Sequence, residues 1–319
     1  MQNILENKKI RHSIDVTTII PFFNSGKLLA KLLDSVLSGS CVPSEILLID
    51  DESTDESTNI AKQYSDNYSC VKYYKQKHGG VSAARNFGIR MATKPWVSFL
   101  DADDYIEPDM YELIMKAIAD ESFDGCLCGY FTNDGEAVSA HIYNKQEEIY
   151  SSDMLREMFT NDDVRGYLFN RLFKTEHIKA LSFDNTIGYC EDLLFQSEFF
   201  SMADRKFACV AKPLYHYVSN SSSATATKRL IRDNQFVYKN AYDKISEIVH
   251  EDYVQQSYND LLQVSMYRLL SSYKKGNKTE ELLMQIRQLQ KELKRTPCKN
   301  ISKRRIAFQY FPILYSYFM

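Results

Sequence analysis

Three carboxylates, Asp101, Asp103 and Asp104, follow an apolar run over residues 96–100 that reads as a strand. Carboxylate oxygens are hard ligands suited to Mg2+ or Mn2+, and a strand end leaves coordination positions open for a diphosphate. A cation held there offsets charge growing on a leaving nucleoside diphosphate. Alone, the run fits an acidic loop capping the helix after Pro108 equally well. Asp50 and Asp51 close a second strand-like run, 45–50. Such a pair either caps a helix or accepts hydrogen bonds from a uracil N–H and ribose hydroxyls, with Phe23 near enough in topology to stack on a base. Arg85 and Asn86 open a helix after the Gly79-Gly80 turn, where backbone N–H groups and a guanidinium favour an anion; the other reading is a surface Arg on an amphipathic helix. Glu191 and Asp192 head a further helix, read as amphipathic through Leu193, Leu194, Phe195 and Phe199. Acids in a first turn suit the helix dipole, and Asp192 also suits a general base that removes the proton of an attacking hydroxyl. His216, in Leu214-Tyr-His-Tyr-Val218, reads as a structural residue more readily than as a ligand.

Positioning these residues takes βα units. From residue 14 to about 131 short apolar runs alternate with helical patterns, the signature of a largely parallel sheet. The run 16–20 is expected to stop at Pro21, and Leu28, Leu29, Leu32, Leu33, Val36 and Leu37 recur at helical spacing before Gly39. Ser53-Thr-Asp-Glu56 has capping-box spacing, and 71–74 reads as another strand. Ligands of open α/β sheets bind outside the carboxyl ends of strands, so Asn24, Asp50 with Asp51, and the acidic run are predicted to face one crevice. Beyond 131 the alternation decays, with helices expected at 153–159 and 191–202. From about 228 to 296 the pattern predicts two or three packed helices, interrupted only by Gly276. The run Ser219-Asn-Ser-Ser-Ser223 resembles a low-complexity loop.

The 319 residues exceed one ordinary core, and a net charge of −3 is too small and of the wrong sign for a general nucleic-acid binder. Seven cysteines, an odd number, fit neither a disulfide framework nor paired zinc ligands. Cys126 and Cys128 read as small core hydrophobes on one strand face, and reduced thiols suggest a cytoplasmic setting. The first residues have no apolar core of secretory length, and nothing approaches the roughly 20 apolar residues that cross a bilayer. Residues 291–305 hold Lys291, Lys294, Arg295, Lys299, Lys303, Arg304 and Arg305 against Glu292 alone, before an aromatic-rich end. That tail predicts either a peripheral membrane contact or a segment docked on the protein.

IIPFFN, LLIDDESTD, HGGVSAARNFGI, VSFLDADDYI, FNRLFK, GYCEDLLF and PLYHYVSNSSSAT, in this order over about 16–225, resemble family 2 glycosyltransferases of bacterial cell-surface polysaccharide assembly. The resemblance implies an α/β GT-A fold, Rossmann-like, with a mostly parallel central sheet flanked by helices and an α-helical C-terminal extension. It divides the chain into a tail (1–13), a donor half (14–131), an acceptor half (132–227) and a helical region (228–319). It implies an inverting, metal-dependent transfer from a nucleotide sugar, with UDP favoured, to a glycan or lipid-linked acceptor, in the cytoplasm or on the inner face of the plasma membrane. Phe23 and Asp51 would meet the uracil, with Pro21 and Asn24 in the same wall and Arg85 and Asn86 near the donor. Asp101 would lie nearer the ribose, with Ala102 beside it. Asp103 would be the main ligand of Mn2+ or Mg2+, assisted by Asp104, with His216 a further candidate. Asp192 would be the base, beside Glu191. Three departures stand out: Glu52 where the family usually has Gly, Arg171 where Lys is common, and a variable position at His216. The alternatives are an inactive sugar-binding or scaffold relative and a Mg-dependent phosphohydrolase with Asp101 as nucleophile.

Overall fold

Val16 through Phe22 are buried without a break, as in a central strand covered by helices on both faces. The computed structural model describes residues 12–120, 122–133, 137–218, 229–299 and 302–318, so the Ser219 to Ser223 run lies outside the described residues. That strand, β1 (Ser13–Phe22), leads through α1 (Gly26–Leu37), β2 (Val42–Asp50), α2 (Ser57–Asn67), β3 (Val71–Lys75) and α3 (Gly80–Met91) to β4 (Trp96–Phe99). There follow β5 (Tyr105–Ile106), α4 (Met110–Ala117), β6 (Gly125–Asn133), β7 (Val138–His141), β8 (Glu148–Tyr150), α5 (Ser151–Thr160), β9 (Arg171–Lys174), α6 (Thr175–Ile178), α7 (Glu191–Met202) and β10 (Lys206–Val218). The rest is a two-stranded hairpin, β11 (Ile231–Arg232) and β12 (Gln235–Phe236), and the helices α8 (Lys239–Ile248), α9 (Asp252–Lys274), α10 (Glu280–Arg295), α11 (Lys303–Tyr310) and α12 (Pro312–Ser316).

The main sheet runs β3-β2-β1-β4-β9-β6-β10-β5, with β7 on β6 and β8 on β10. It is parallel through β3-β2-β1-β4; β9 then enters antiparallel to both β4 and β6, so the whole is mixed. Leu29, Leu32, Leu33 and Val36 of α1 lie buried in one core with Val16, Ile20, Ile46 and Leu48, as their spacing predicts. Each such side chain contributes about 1.5–3 kcal/mol on full burial. On the sheet's other cover, a Cβ on Gly88 would stand 2.4 Å from Ile19 Cγ2, so only glycine lets α3 lie this close to β1. Cys126 and Cys128 are core residues of β6, and burial pushes both thiols up.

Several local expectations change. Pro21 does not end β1, which continues to Phe22 paired with Asp50. Pairing with β4 stops at Ile19, whose carbonyl takes the Leu100 N–H on that side. Pro21 presents its donor-less nitrogen to the same side one step later, where no ladder bond is lost. The capping box does not form: α2 starts at Ser57, and the Ser53 N–H goes to Asp50 Oδ1 at 2.7 Å. Helix α7 is not amphipathic, since Leu193, Leu194, Phe195, Gln196 and Ser197 are all buried; it is an interior helix.

Two compact units emerge, one of residues 12–186 and 199–218, the other of 187–198 and 229–318. In the second, α10 and α11 pack on α9. No described helix is long and apolar enough to cross a membrane.

Arg171 is wholly buried at the start of β9. Its guanidinium donates to the carbonyls of Tyr167, Val164 (3.2 Å) and Arg165 (2.6 Å), which explains Arg where the family commonly has Lys: a forked donor serves several carbonyls from one place and an ammonium does not. Arg171→Lys should therefore lower the unfolding free energy by about 2–4 kcal/mol in urea titration, because carbonyls lose their donors in a dry site. A change within about 0.5 kcal/mol, as at an ordinary surface position, would contradict this role.

Candidate active site

Parallel register brings the strand ends level: Phe22 is opposite Asp50, and Asp50 opposite Lys75. Just past them Asp51 is almost fully buried, and its carboxylate is surrounded by donors. Oδ1 accepts from Gln76 Nε2 (2.8 Å) and the Gly79 N–H (2.9 Å). Oδ2 accepts from the Gly80 N–H (2.8 Å) and meets His78 Nδ1 at 2.8 Å. Gly79 and Gly80 open α3, so the anion held by this helix's free N–H groups is the protein's own carboxylate. Gly80 has φ +83°, a backbone state that favours glycine. Asp50 points the other way, into bonds from Ser53, Thr58 and Tyr73. It is a brace for the loop, the helix-capping style of role its residue type allows.

Phe23, 48% exposed, lies against the His78 ring with centroids 4.8 Å apart. The two rings form an open aromatic pair over Asp51. His78 was not among the sequence candidates; only its place before the Gly-Gly turn could have pointed to it. Pro21 is buried within β1. Asn24 has φ +50° and spends its carbonyl oxygen on the Thr54 N–H (2.8 Å) and Asp55 N–H (3.3 Å), so its amide shapes the loop wall. Glu52 has φ +71°, the left-handed state that the family's usual glycine would adopt without strain, and its carboxylate accepts the His78 N–H at 3.1 Å.

Along the acidic run burial alternates: Asp101 and Asp103 are partly open, Ala102 and Asp104 buried. Asp104 is held from β10, with Oδ2 2.5 Å from the Tyr215 hydroxyl and Oδ1 accepting the Val218 N–H at 2.7 Å. Burial, and then the charges of Asp101 and Asp103, push its carboxyl up to about 9 against the pull of these two bonds. Both of its oxygens are thus turned to partners inside the fold, whereas Asp101 and Asp103 are partly open. The same Tyr215 hydroxyl accepts the Asp101 N–H at 3.2 Å, so one phenol fixes both ends of the run. Sequence reading passed over Tyr215 for its neighbour His216. His216 stacks between Tyr105 (4.1 Å) and Phe131 (4.6 Å) with Nε2 2.6 Å from Glu107 Oε1, which makes it part of the β5–β10 brace.

Arg85 is buried and donates from Nη2 to Asp101 Oδ1 at 3.2 Å, with its guanidinium 5.4 Å from the Phe183 ring centroid. It is not the surface residue of an amphipathic helix. Asn86 is committed locally: Nδ2 donates to the Phe183 carbonyl (2.8 Å) and Oδ1 accepts the Phe183 N–H (2.7 Å). Within the first unit, α3 thus links Asp51 at its N-terminus to Asp101 through Arg85. Glu191 and Asp192 belong to the second unit, half-buried at the head of α7, after Cys190 with φ +58°. Asp192 Oδ1 accepts the Leu193 N–H at 2.8 Å.

Among the described residues no three of His, Cys, Asp and Glu gather into a metal cage. The two open carboxylates nevertheless suit Mg2+ or Mn2+, which is bound through one or two carboxylates together with substrate phosphates and water.

Residues 17–182 match the profile of Glycosyl transferase family 2. The chain belongs to this family. EpsH of Bacillus subtilis (strain 168), whose name places it among glycosyltransferases, is 30% identical over 217 residues, 65% of this chain and 62% of its own; the chain thus spans under two thirds of that relative. Among solved structures, S. aureus TarS 1–349 in complex with UDP-GlcNAc superposes over 95% of this chain and 89% of its own with TM-score 0.68 at 20% identity. The mannosyltransferase PcManGT from Pyrobaculum calidifontis, in complex with GDP-Man and Mn2+, gives TM-score 0.52 at 16% identity over 95% and 86%. At these identities the two structures bear on the fold, which is GT-A-like as the motifs predict.

Tyr215→Phe removes the hydroxyl shared by Asp101 and Asp104. Leaving the buried Asp104 oxygen short of a partner should cost about 1–3 kcal/mol in chemical denaturation. Unchanged stability would show that the acidic run does not depend on this bond.

Proposed function

We propose that the chain transfers a sugar from a UDP-sugar to a hydroxyl of a glycan or lipid-linked acceptor in surface-polysaccharide assembly, with inversion at the anomeric carbon. The observation that carries the reading is helix α3: its first N–H groups hold Asp51 and its Arg85 holds Asp101, so the two family carboxylates are aligned by one rigid element. TarS with UDP-GlcNAc and PcManGT with GDP-Man and Mn2+ support a nucleotide-sugar donor and a divalent cation by likeness of fold.

In this reading the uracil stacks on Phe23 and its N–H takes the position at Asp51 Oδ2 that His78 fills. Pro21 and Asn24 shape that wall, and Asn86 keeps the neighbouring loop in place. Asp101 and the Ala102 backbone lie toward the ribose, and Arg85 adds positive charge near the diphosphate. Asp103, with Asp101, is the pair that would hold Mn2+ or Mg2+, while Asp104 and His216 brace the fold. A cation bound there offsets charge on the departing diphosphate. Asp192 takes the proton of the acceptor hydroxyl as its oxygen attacks the anomeric carbon, and the bond to the diphosphate breaks with its electron pair leaving on the nucleotide. Glu191 supports the same helix end. A place in the cytoplasm, peripheral on the inner face of the plasma membrane, belongs to this reading, because lipid-linked acceptors lie there.

The test is a panel of nucleotide sugars with and without Mn2+, read by thermal stabilisation and by turnover. UDP-sugars should stabilise the protein in a Mn2+-dependent way, and Asp103→Asn should remove that dependence. Asp192→Asn should keep the stabilisation and lose about 10²–10⁴-fold in transfer, the usual contribution of a general base. A flat response to every UDP-sugar, or full activity of Asp192→Asn, would refute the assignment. Stabilisation without turnover in the native chain would favour the inactive sugar-binding alternative.

A further inference from the structure

The second unit ends in two short helices whose faces contrast sharply. The inner face is anchored. Arg305, wholly buried, donates to Asn259 Oδ1 (2.5 Å) and to the carbonyls of Leu293 (2.8 Å) and Thr296 (2.7 Å). Gln309 donates to the Leu293 carbonyl at 2.8 Å, and Phe308, Pro312 and Ser316 are buried. Arg305 is therefore spent inside the fold rather than adding to the basic surface, and the segment is docked on the protein, one of the two outcomes its sequence allows.

The outer face is of a different character. Ile306, Tyr310, Phe311, Leu314, Tyr317 and Phe318 all point into solvent, the last four 58–79% exposed. Isolated exposed hydrophobes are ordinary, but here six fall within 13 residues on two consecutive short helices fixed from behind, with the Tyr310 and Phe311 rings 6.4 Å apart where the helices meet. Basic side chains stand at its rim: Lys303 and Arg304 are exposed on α11, and Lys294 of α10 holds its ammonium 5.1 Å from the Tyr310 ring centroid. After Glu292 the sequence has six Lys or Arg and no acid; with a total of −3, the preceding 292 residues sum to −9. The apolar face thus lies in the one strongly basic segment of an acidic chain.

We infer that this face of α11 and α12 docks the protein on an anionic lipid bilayer, with Phe311, Leu314 and Phe318 entering the headgroup boundary and Lys294, Lys303 and Arg304 meeting lipid phosphates. Tyr and Phe bodies with basic neighbours are the side chains that occupy such an interface. Charge selects the occupant: a second copy would bring the same positive rim against itself, whereas an anionic surface complements it. No insertion beyond the headgroup boundary is implied. The inference leans on the sugar-transfer reading only for why the protein would work at a bilayer; docking needs neither donor nor cation, so either can fail alone.

Flotation of the full chain with vesicles of phosphatidylcholine, alone and mixed with phosphatidylglycerol, tests it. The chain should float with the anionic vesicles, weakly with the neutral ones, and less at high salt. The triple variant Phe311→Ser, Leu314→Ser, Phe318→Ser and, separately, Lys303→Glu with Arg304→Glu should each lower vesicle partitioning at least about tenfold. Both variants should keep the thermal unfolding temperature of the native chain, since every changed side chain is exposed. No flotation with anionic vesicles, or variants that float as well as the native chain, would overturn the inference. So would a dimer seen by light scattering that the triple variant abolishes.

Discussion

The carboxylate of Asp51, gripped by the first N–H groups of α3, is the interaction on which the rest of the site depends. It joins the end of β2 to the β3–α3 turn and sets where α3 starts. Because α3 is rigid and lies on β1 through Gly88, its start also fixes Arg85, and Arg85 fixes Asp101. A buried carboxylate is expensive unless every oxygen is served, and four donors serve this one. Two of them, Gln76 and His78, are side chains that can move, whereas the glycine N–H groups cannot. Asp51 is thus both a structural anchor and a group with acceptor capacity to offer a ligand.

A similar economy divides the acidic run. Four consecutive residues contain three acids, yet alternating burial sends Asp101 and Asp103 outward and Asp104 inward. Tyr215 and Val218 of β10 hold Asp104, and Tyr215 also holds the Asp101 backbone, so the outward pair is positioned by a strand more than 100 residues later in the chain. Concentrating acids there is offset by the hydrogen bonds that serve the inward carboxyl and by Arg85, which pairs with Asp101.

Much of this was legible in the sequence, for local reasons. Strand ends, the α1 stripe and the Gly79-Gly80 turn follow from periodicity and from residue types with a fixed meaning, and the ordered motifs pointed to the family. What escaped depends on partners distant in the chain. Pro21 looks like a strand terminator until the early end of the β4 ladder is known. Ser53 to Glu56 has the spacing of a capping box, but Asp50 and Asn24 capture its donors first. His216 reads as structural from its strand alone, but the inward turn of Asp104 could not be read without β10, and Arg305 looked like surface charge until Asn259 and the end of α10 surrounded it.

The most direct measurement is calorimetric titration of UDP in Mn2+ into the native chain and into Asp51→Asn, a variant equal in size. An Asn amide turns an N–H group toward one of the donors Asp51 accepts and offers the base one acceptor oxygen instead of two. The account predicts a loss of at least about tenfold in UDP affinity, or about 1.4 kcal/mol. UDP binding as tight as in the native chain would contradict the central claim that the Asp51 clamp organises the donor site.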